Sequence, residues 1–113
     1  ALTIMNPEPT VTGIGPAEAP NDAPVSVVIS GTNFVGGAAA RLEMDGVVIT
    51  GTDVTVVSPT QINATFDLAD AAVGGYDVVV TNPGPLEPTG TLPEGFTVKQ
   101  AVKFVFIPVV QKG

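Results

Sequence analysis

The stretch Gly74-Gly75-Tyr76-Asp77-Val78-Val79-Val80-Thr81-Asn82-Pro83-Gly84-Pro85 decides the fold of this chain. Two glycines precede an alternating apolar run, and an Asn-Pro-Gly-Pro cluster ends it. Successive side chains of a strand point to opposite faces, so Tyr76, Val78 and Val80 share one face. The pattern predicts a β-strand with one face on a core and a turn at each end.

Similar short apolar runs, separated by turn residues, lie on both sides of this stretch. The chain has 13 glycines and 11 prolines, and no window shows an apolar stripe at helical spacing. We therefore expect an all-β fold, a β-sandwich of two antiparallel sheets with roughly seven to eight strands. The predicted strands are 11–14, 25–30, 38–44, 47–49, 53–57, 61–67, 75–81 and 95–99.

The connections between these strands are predicted from their turn residues. Asp45-Gly46 is a strong signal for a type I′ hairpin turn. Gly31 is expected to take a positive φ where the chain leaves the second strand, and Phe34 to fold back onto the edge of the core. Residues 17–24 and 84–94 are predicted to be loops, and residues 68–73 to form one helical turn.

The chain divides into three parts by composition: a proline-containing N-terminal extension (1–10), the sandwich (11–99) and an apolar C-terminal strand or tail (100–113). Within the last part, residues 102–110 are nearly all apolar on both faces. A strand of that kind needs cover on both sides or a neighbouring chain. The candidate residues of an interaction strand, which would also support a homodimer, are therefore Phe104, Phe106, Ile107 and Val109.

Charge and composition exclude several classes of function. Four basic against 11 acidic residues give a net charge of −7, so nucleic acid is an unsuitable partner. No segment reaches the roughly 18 apolar residues that would allow insertion into a membrane. Without His or Cys the chain offers no Ser–His or Cys–His base and no imidazole or thiolate for zinc.

Acidic residues are the remaining candidates for chemistry. Asp45 with Asp53, or Asp67 with Asp70, could act as paired carboxylates, but turn and capping roles fit these positions better. Calcium is a better alternative than catalysis, at Asn21-Asp22 or Asp67–Asp70, although neither has the dense alternating acidic spacing of a dedicated loop. We therefore predict a protein that is not an enzyme and that needs no cofactor or metal.

Carbohydrate binding would need an exposed aromatic platform, and the chain has no Trp. Phe34, Phe66 and Phe96 fall on predicted core faces. The Tyr76 hydroxyl is expected to bond to the backbone, as in a tyrosine corner. Phe104 and Phe106, two residues apart on one face, are the candidates that remain for such a platform.

Four sequence blocks in register carry a family resemblance. They are Val11-x-x-Ile14-x-Pro16, Val27-x-Ile29-x-Gly31-Thr32-Asn33-Phe34, Val56-Val57-Ser58-x-Thr60-x-Ile62-x-Ala64, and Gly75-Tyr76-Asp77-Val78-x-Val80-x-Asn82-Pro83 with Gly95-Phe96-Thr97-Val98. Together they resemble an IPT/TIG domain, the immunoglobulin-like fold shared by plexins, Rel-type transcription factors and many bacterial surface proteins. The resemblance covers about residues 10 to 99, and it departs from the family in the longer 17–24 and 83–94 stretches.

The resemblance implies an early-set immunoglobulin-like sandwich and a tandem, modular habit, but no chemistry. We expect a non-catalytic structural or adhesive module of a secreted or cell-surface bacterial protein. Its partners would be neighbouring domains of the same polypeptide or other proteins. Two alternatives stay open: self-association through the 102–110 strand, and a carbohydrate-binding accessory domain. The extracellular localisation is inferred from the resemblance, since no signal peptide is visible.

Overall fold

Nine β-strands make up the described part of the chain, residues 8–83 and 88–101 of the computed structural model. Their bounds are β1 Thr10–Gly15, β2 Glu18–Pro20, β3 Pro24–Thr32, β4 Ala39–Met44, β5 Val47–Thr50, β6 Thr52–Ser58, β7 Gln61–Asp67, β8 Gly74–Thr81 and β9 Thr89–Lys99. This arrangement confirms the all-β prediction and adds one strand, β2, to the predicted set.

The strands form two sheets. One has four strands in the order β1-β3-β7-β6, and the other has five in the order β2-β9-β8-β4-β5. The neighbouring pairs are antiparallel, with one departure from the prediction: β2 runs parallel to β9. β1 and β2 follow each other without a reversal of the chain, which passes from one sheet to the other near Pro16. β2 therefore arrives beside β9 running the same way.

A single hydrophobic core lies between the sheets. The predicted inward face of β8 is confirmed, since Tyr76, Val78 and Val80 are all 0% exposed. From the opposite sheet, β7 contributes Ile62 and Phe66, which are also fully buried. Side chains from both sheets belong to one cluster of buried residues, so the two sheets pack face to face as a β-sandwich.

The hairpin between β4 and β5 follows the predicted turn. Asp45 and Gly46 have φ values of 45° and 87°, and Met44 pairs with Val47 across a two-residue loop. Positive φ at both central positions is the signature of a type I′ turn, whose twist matches that of the flanking strands. The prediction from Asp-Gly is therefore confirmed.

The prediction for Gly31 is wrong. Its φ is not positive, and Asn33 takes that conformation instead, at φ 62°. Gly31 is required for a different reason: a Cβ atom there would overlap the carbonyl group of Thr10 and lie 2.6 Å from the Phe34 ring. The glycine thus allows β1 to approach β3 closely, and Phe34 is buried beside it as expected.

The three predicted irregular segments also differ from the structure. The 17–24 loop contains β2, and the 84–94 loop overlaps β9, which begins at Thr89 and pairs with β8 over Thr89–Leu92. A register shift opposite Asp77 then accommodates Pro93 and Glu94, which is why the turn residues there gave a misleading signal. Residues 68–73 contain a β-turn, with Ala71 N donating to Leu68 O at 2.9 Å, and no helical turn.

Candidate interaction surface

The chain enters and leaves the sandwich at opposite ends. Thr10, the first residue of β1, pairs with Thr32, and the carbonyl group of Pro9 lies against Gly90 near the start of β9. From there β9 runs the length of its sheet to Lys99. We call the end that holds residues 8–10 the entrance end, and the end that holds residues 99–101 the exit end.

Asparagine side chains fix the entering chain. Asn33 Nδ2 donates to the Glu8 carbonyl at 3.3 Å, and the Asn33 carbonyl accepts from Asn82 Nδ2 at 2.8 Å. Asn82 is fully buried, and its Oδ1 accepts from Val35 N at 3.1 Å. Because a buried amide is costly unless it is hydrogen-bonded, this set of bonds holds the segment in one arrangement.

At the exit end, Asn21 fixes the chain that leaves the sandwich. Its Nδ2 donates to the Ala71 carbonyl at 2.8 Å, and its Oδ1 accepts from Ala101 N at 2.9 Å. Its backbone N donates to the Lys99 carbonyl at 3.0 Å, while its carbonyl accepts from Asp70 N at 3.1 Å. One residue therefore joins the β2–β3 connection, the turn before β8 and the chain leaving β9.

An acidic cleft, which sequence reasoning missed, also lies at the exit end. Glu43 and Asp77 are cross-strand neighbours on β4 and β8, and they line the cleft together with Asp45 and Glu94. Arg41 forms an ion pair with Glu43, and Asp77 Oδ1 accepts from Glu94 N at 2.9 Å. Only the pairing of β4 with β8 brings Glu43 and Asp77 together, and the pattern of each strand on its own gives no signal for it.

The predicted carboxylate pairs have structural roles. Asp45 sits in the β4–β5 turn, while Asp53 lies on β6 in the other sheet, so the two do not share a cleft. Asp67 Oδ1 accepts from Ala69 N at 3.1 Å, and Asp70 occupies a turn at φ 62°. Asp45, Asp67 and Asp70 therefore have the turn and capping roles that sequence analysis favoured.

The two calcium candidates come together in space. Asn21, Asp22 and Asp70 line one cleft at the exit end. The Asn21 side chain already bonds to the backbone on both sides. Over residues 8–83 and 88–101, no group of three or more acidic side chains is arranged to hold a metal ion.

The aromatic residues within the described ranges are buried: Phe34, Phe66, Tyr76 and Phe96. Tyr76 Oη donates to the Ala72 carbonyl at 2.7 Å, so the expected bond to the backbone is present. Burial raises the pKa of the Tyr76 hydroxyl above its ordinary value of 10.0, against the smaller lowering effect of that hydrogen bond. An aromatic platform in this part of the chain is therefore excluded.

The predicted interaction residues lie outside the described residues, so their role stays a prediction. They are Phe104, Phe106, Ile107 and Val109.

In the described ranges no helix is long and apolar enough to cross a bilayer. No protein-family model matches the chain, and a search of curated proteins finds no matching relative.

Proposed function

We propose that this chain is a non-catalytic spacer module of the IPT/TIG type, which joins neighbouring domains in a secreted or cell-surface bacterial protein. One observation carries the proposal: the chain enters at one end of the sandwich and leaves at the other. A module of that geometry separates its neighbours by its own length. Strand β9 has 11 residues, and at about 3.3 Å per residue it spans roughly 36 Å.

The order of the strands supports the immunoglobulin-like assignment. In an immunoglobulin domain, strands A, B, E and D form one sheet and strands C, F and G the other. The order β1-β3-β7-β6 corresponds to A-B-E-D, and β9-β8-β4 corresponds to G-F-C. The bond from the Tyr76 hydroxyl to the carbonyl four residues earlier, near the start of β8, is further support, since a tyrosine corner stands at the start of strand F.

The fixed chain ends support a spacer rather than a flexible link. At the entrance end the Glu8 backbone is held by Asn33, and at the exit end the Ala101 backbone is held by Asn21. Both contacts lie at the points where the chain leaves the sandwich towards its N-terminal and C-terminal segments, and beyond them towards neighbouring domains. A neighbour attached there would inherit a defined direction, whereas a chain that frayed at these points would lose it.

The net negative charge of the module favours proteins over nucleic acid as its partners. All 11 acidic residues and two of the four basic residues lie within residues 1–101, a net charge of −9. Both of those basic residues form ion pairs, Arg41 with Glu43 and Lys99 with Glu18. Such a surface repels phosphate backbones and keeps the module soluble, which suits partners that are proteins rather than nucleic acid.

The test uses the chain between two fluorescent reporter domains, with single-molecule energy transfer as the readout. The control places a Gly/Ser linker of the same number of residues between the same reporters. We expect a narrow distance distribution for the module and a broad one for the linker, because a flexible chain samples many end-to-end distances. A distribution as broad as that of the linker would refute the spacer role.

A further inference from the structure

The outer edge of strand β5 differs from the other sheet edges. Edge strands usually carry features that prevent pairing with another chain. β1 and β6 have register shifts against their neighbours, and β6 also carries Asp53. β2 has three residues that include Pro20, and its Glu18 is paired with Lys99 at 2.7 Å. β5, Val-Val-Ile-Thr, has no charge, no proline and no register shift against β4.

The backbone of β5 is suited to accept another strand. In the two-residue hairpin Met44 and Val47 form a hydrogen-bonded pair, so the alternate residues Val48 and Thr50 direct their N–H and C=O groups away from β4. Within the described residues no strand lies on that side. Val48 is also 54% exposed, which offers an apolar side chain to a neighbour in the next strand.

The C-terminal segment, residues 102–110, has the complementary properties. Apart from Lys103 it is apolar on both faces, and Pro108 limits its uninterrupted pairing to the six residues 102–107. Residues 102–113 hold the other two basic residues, Lys103 and Lys112, and no acidic one, a net charge of +2. The acceptor region is negative, because the acidic cleft of Glu43, Asp45, Asp77 and Glu94 adjoins the start of β5.

Strand order argues that the donor belongs to a second copy. From β9 the chain would have to cross four strand spacings, about 19 Å, to lie along the outer edge of β5 in its own sheet. That distance uses about six extended residues, which leaves none of residues 102–107 for pairing. In a second copy, all six residues 102–107 stay available for pairing.

We propose that residues 102–107 of one copy add to the outer edge of β5 in a second copy, with Lys103 near the acidic cleft. Main-chain hydrogen bonds supply the affinity, as in other cases of strand addition, and Phe104 or Phe106 covers Val48. Since each chain carries both donor and acceptor, reciprocal exchange closes into a dimer. This binding activity is independent of the spacer role and can hold or fail without it.

The test measures the mass of the full chain by light scattering across a concentration series. Val48→Pro removes an outward N–H from β5 and should weaken the dimer at least tenfold, because proline at an edge strand is tolerated but cannot donate. Val48→Lys provides a second variant if the proline variant does not fold, and it should weaken the dimer as well. Val57→Lys is the matched control. Val57 is 53% exposed on the edge strand β6, whose register against β7 is shifted, and its substitution should leave the dimer unchanged.

A mixing experiment separates donor from acceptor. Val48→Pro removes the acceptor and keeps the segment, while Phe104→Ser with Phe106→Ser removes the donor and keeps β5. Each variant alone should be monomeric, and their mixture should form a heterodimer through the one intact pairing. Lys103→Glu in the otherwise unchanged chain should lower the affinity of the dimer several-fold. Added salt should also lower the affinity of the wild-type dimer, because it screens the attraction between Lys103 and the acidic cleft.

Three results would overturn the proposal. One is a wild-type chain that stays monomeric over the whole concentration range. Another is a mixture of the two variants without heterodimer. The third is a monomer whose stability falls when Phe104 and Phe106 are replaced, because the segment would then cover its own domain. None of these results bears on the distance between the chain ends, so the spacer role is tested separately.

Discussion

Single residues join parts of this fold that are distant in sequence. Asn21 bonds to Ala71 and Ala101, and Asn82 bonds to Asn33 and Val35, so each asparagine joins segments that lie about 47 to 80 residues apart. The sequence offers no signal for either role, because a single Asn in a turn usually caps its own backbone. Tyr76 differs: its place at the start of a strand, by likeness to the tyrosine corner of immunoglobulin-like domains, predicted its bond to the backbone.

At Tyr76, replacement by Phe should lower the free energy of unfolding by about 0.5–1.5 kcal/mol, the usual net contribution of one hydrogen bond. The core packing is kept, and the Ala72 carbonyl, on an exposed residue, can bond to water. Urea unfolding at pH 8 measures the difference. A loss above about 3 kcal/mol would mean that the hydroxyl does more than bond to Ala72.

The pH dependence of stability provides an independent test of the same residue. Because the pKa of Tyr76 is raised in the folded protein, the unfolded chain loses this proton first, near pH 10.0. The contribution of Tyr76 to stability is therefore complete below pH 10 and is lost as the pH rises above it. Tyr76 is the only tyrosine, so wild type should lose more stability than Tyr76→Phe between pH 8 and 11. Parallel curves for the two proteins would contradict the burial of the hydroxyl.

At the scale of elements, strands with clean alternation were predicted and strands rich in turn residues were not. β7 and β8 were placed with the correct buried faces, because a period of two over seven or eight residues is a strong signal. β2 and the first part of β9 were missed, since Pro and Gly dominate their local preference and pairing with a neighbouring strand decides the outcome. Register is a tertiary property as well, which is why the acidic cleft was not foreseen.

Gly31 tests how closely β1 approaches β3. Gly31→Ala should destabilise the protein by about 1–3 kcal/mol, because the added methyl group would overlap the Thr10 carbonyl and crowd the Phe34 ring. Gly13→Ala is the matched control in the partner strand, where a Cβ meets nothing within 4 Å. That control should be neutral or slightly stabilising, by up to about 1 kcal/mol. Equal urea midpoints for the two variants would refute the close approach.

At the scale of the molecule, the strand order places the two ends of the chain. β1 and β9 belong to different sheets, yet both run from the entrance end to the exit end, as the parallel pairing of β2 with β9 requires. Alternation and turn residues alone do not determine this order, because several arrangements of the same strands bury the same faces. The two-sheet architecture was therefore predictable from alternation and turns, whereas the separation of the chain ends was not.

The distance between the two ends is the most direct test of the spacer account. The chain has no cysteine, so Glu8→Cys with Gln100→Cys provides two unique and exposed positions for spin labels. From the length of β9, pulsed electron spin resonance should give a single narrow distribution centred at roughly 35–45 Å. A main peak below about 25 Å would place both ends on the same side of the sandwich and would contradict the proposed function.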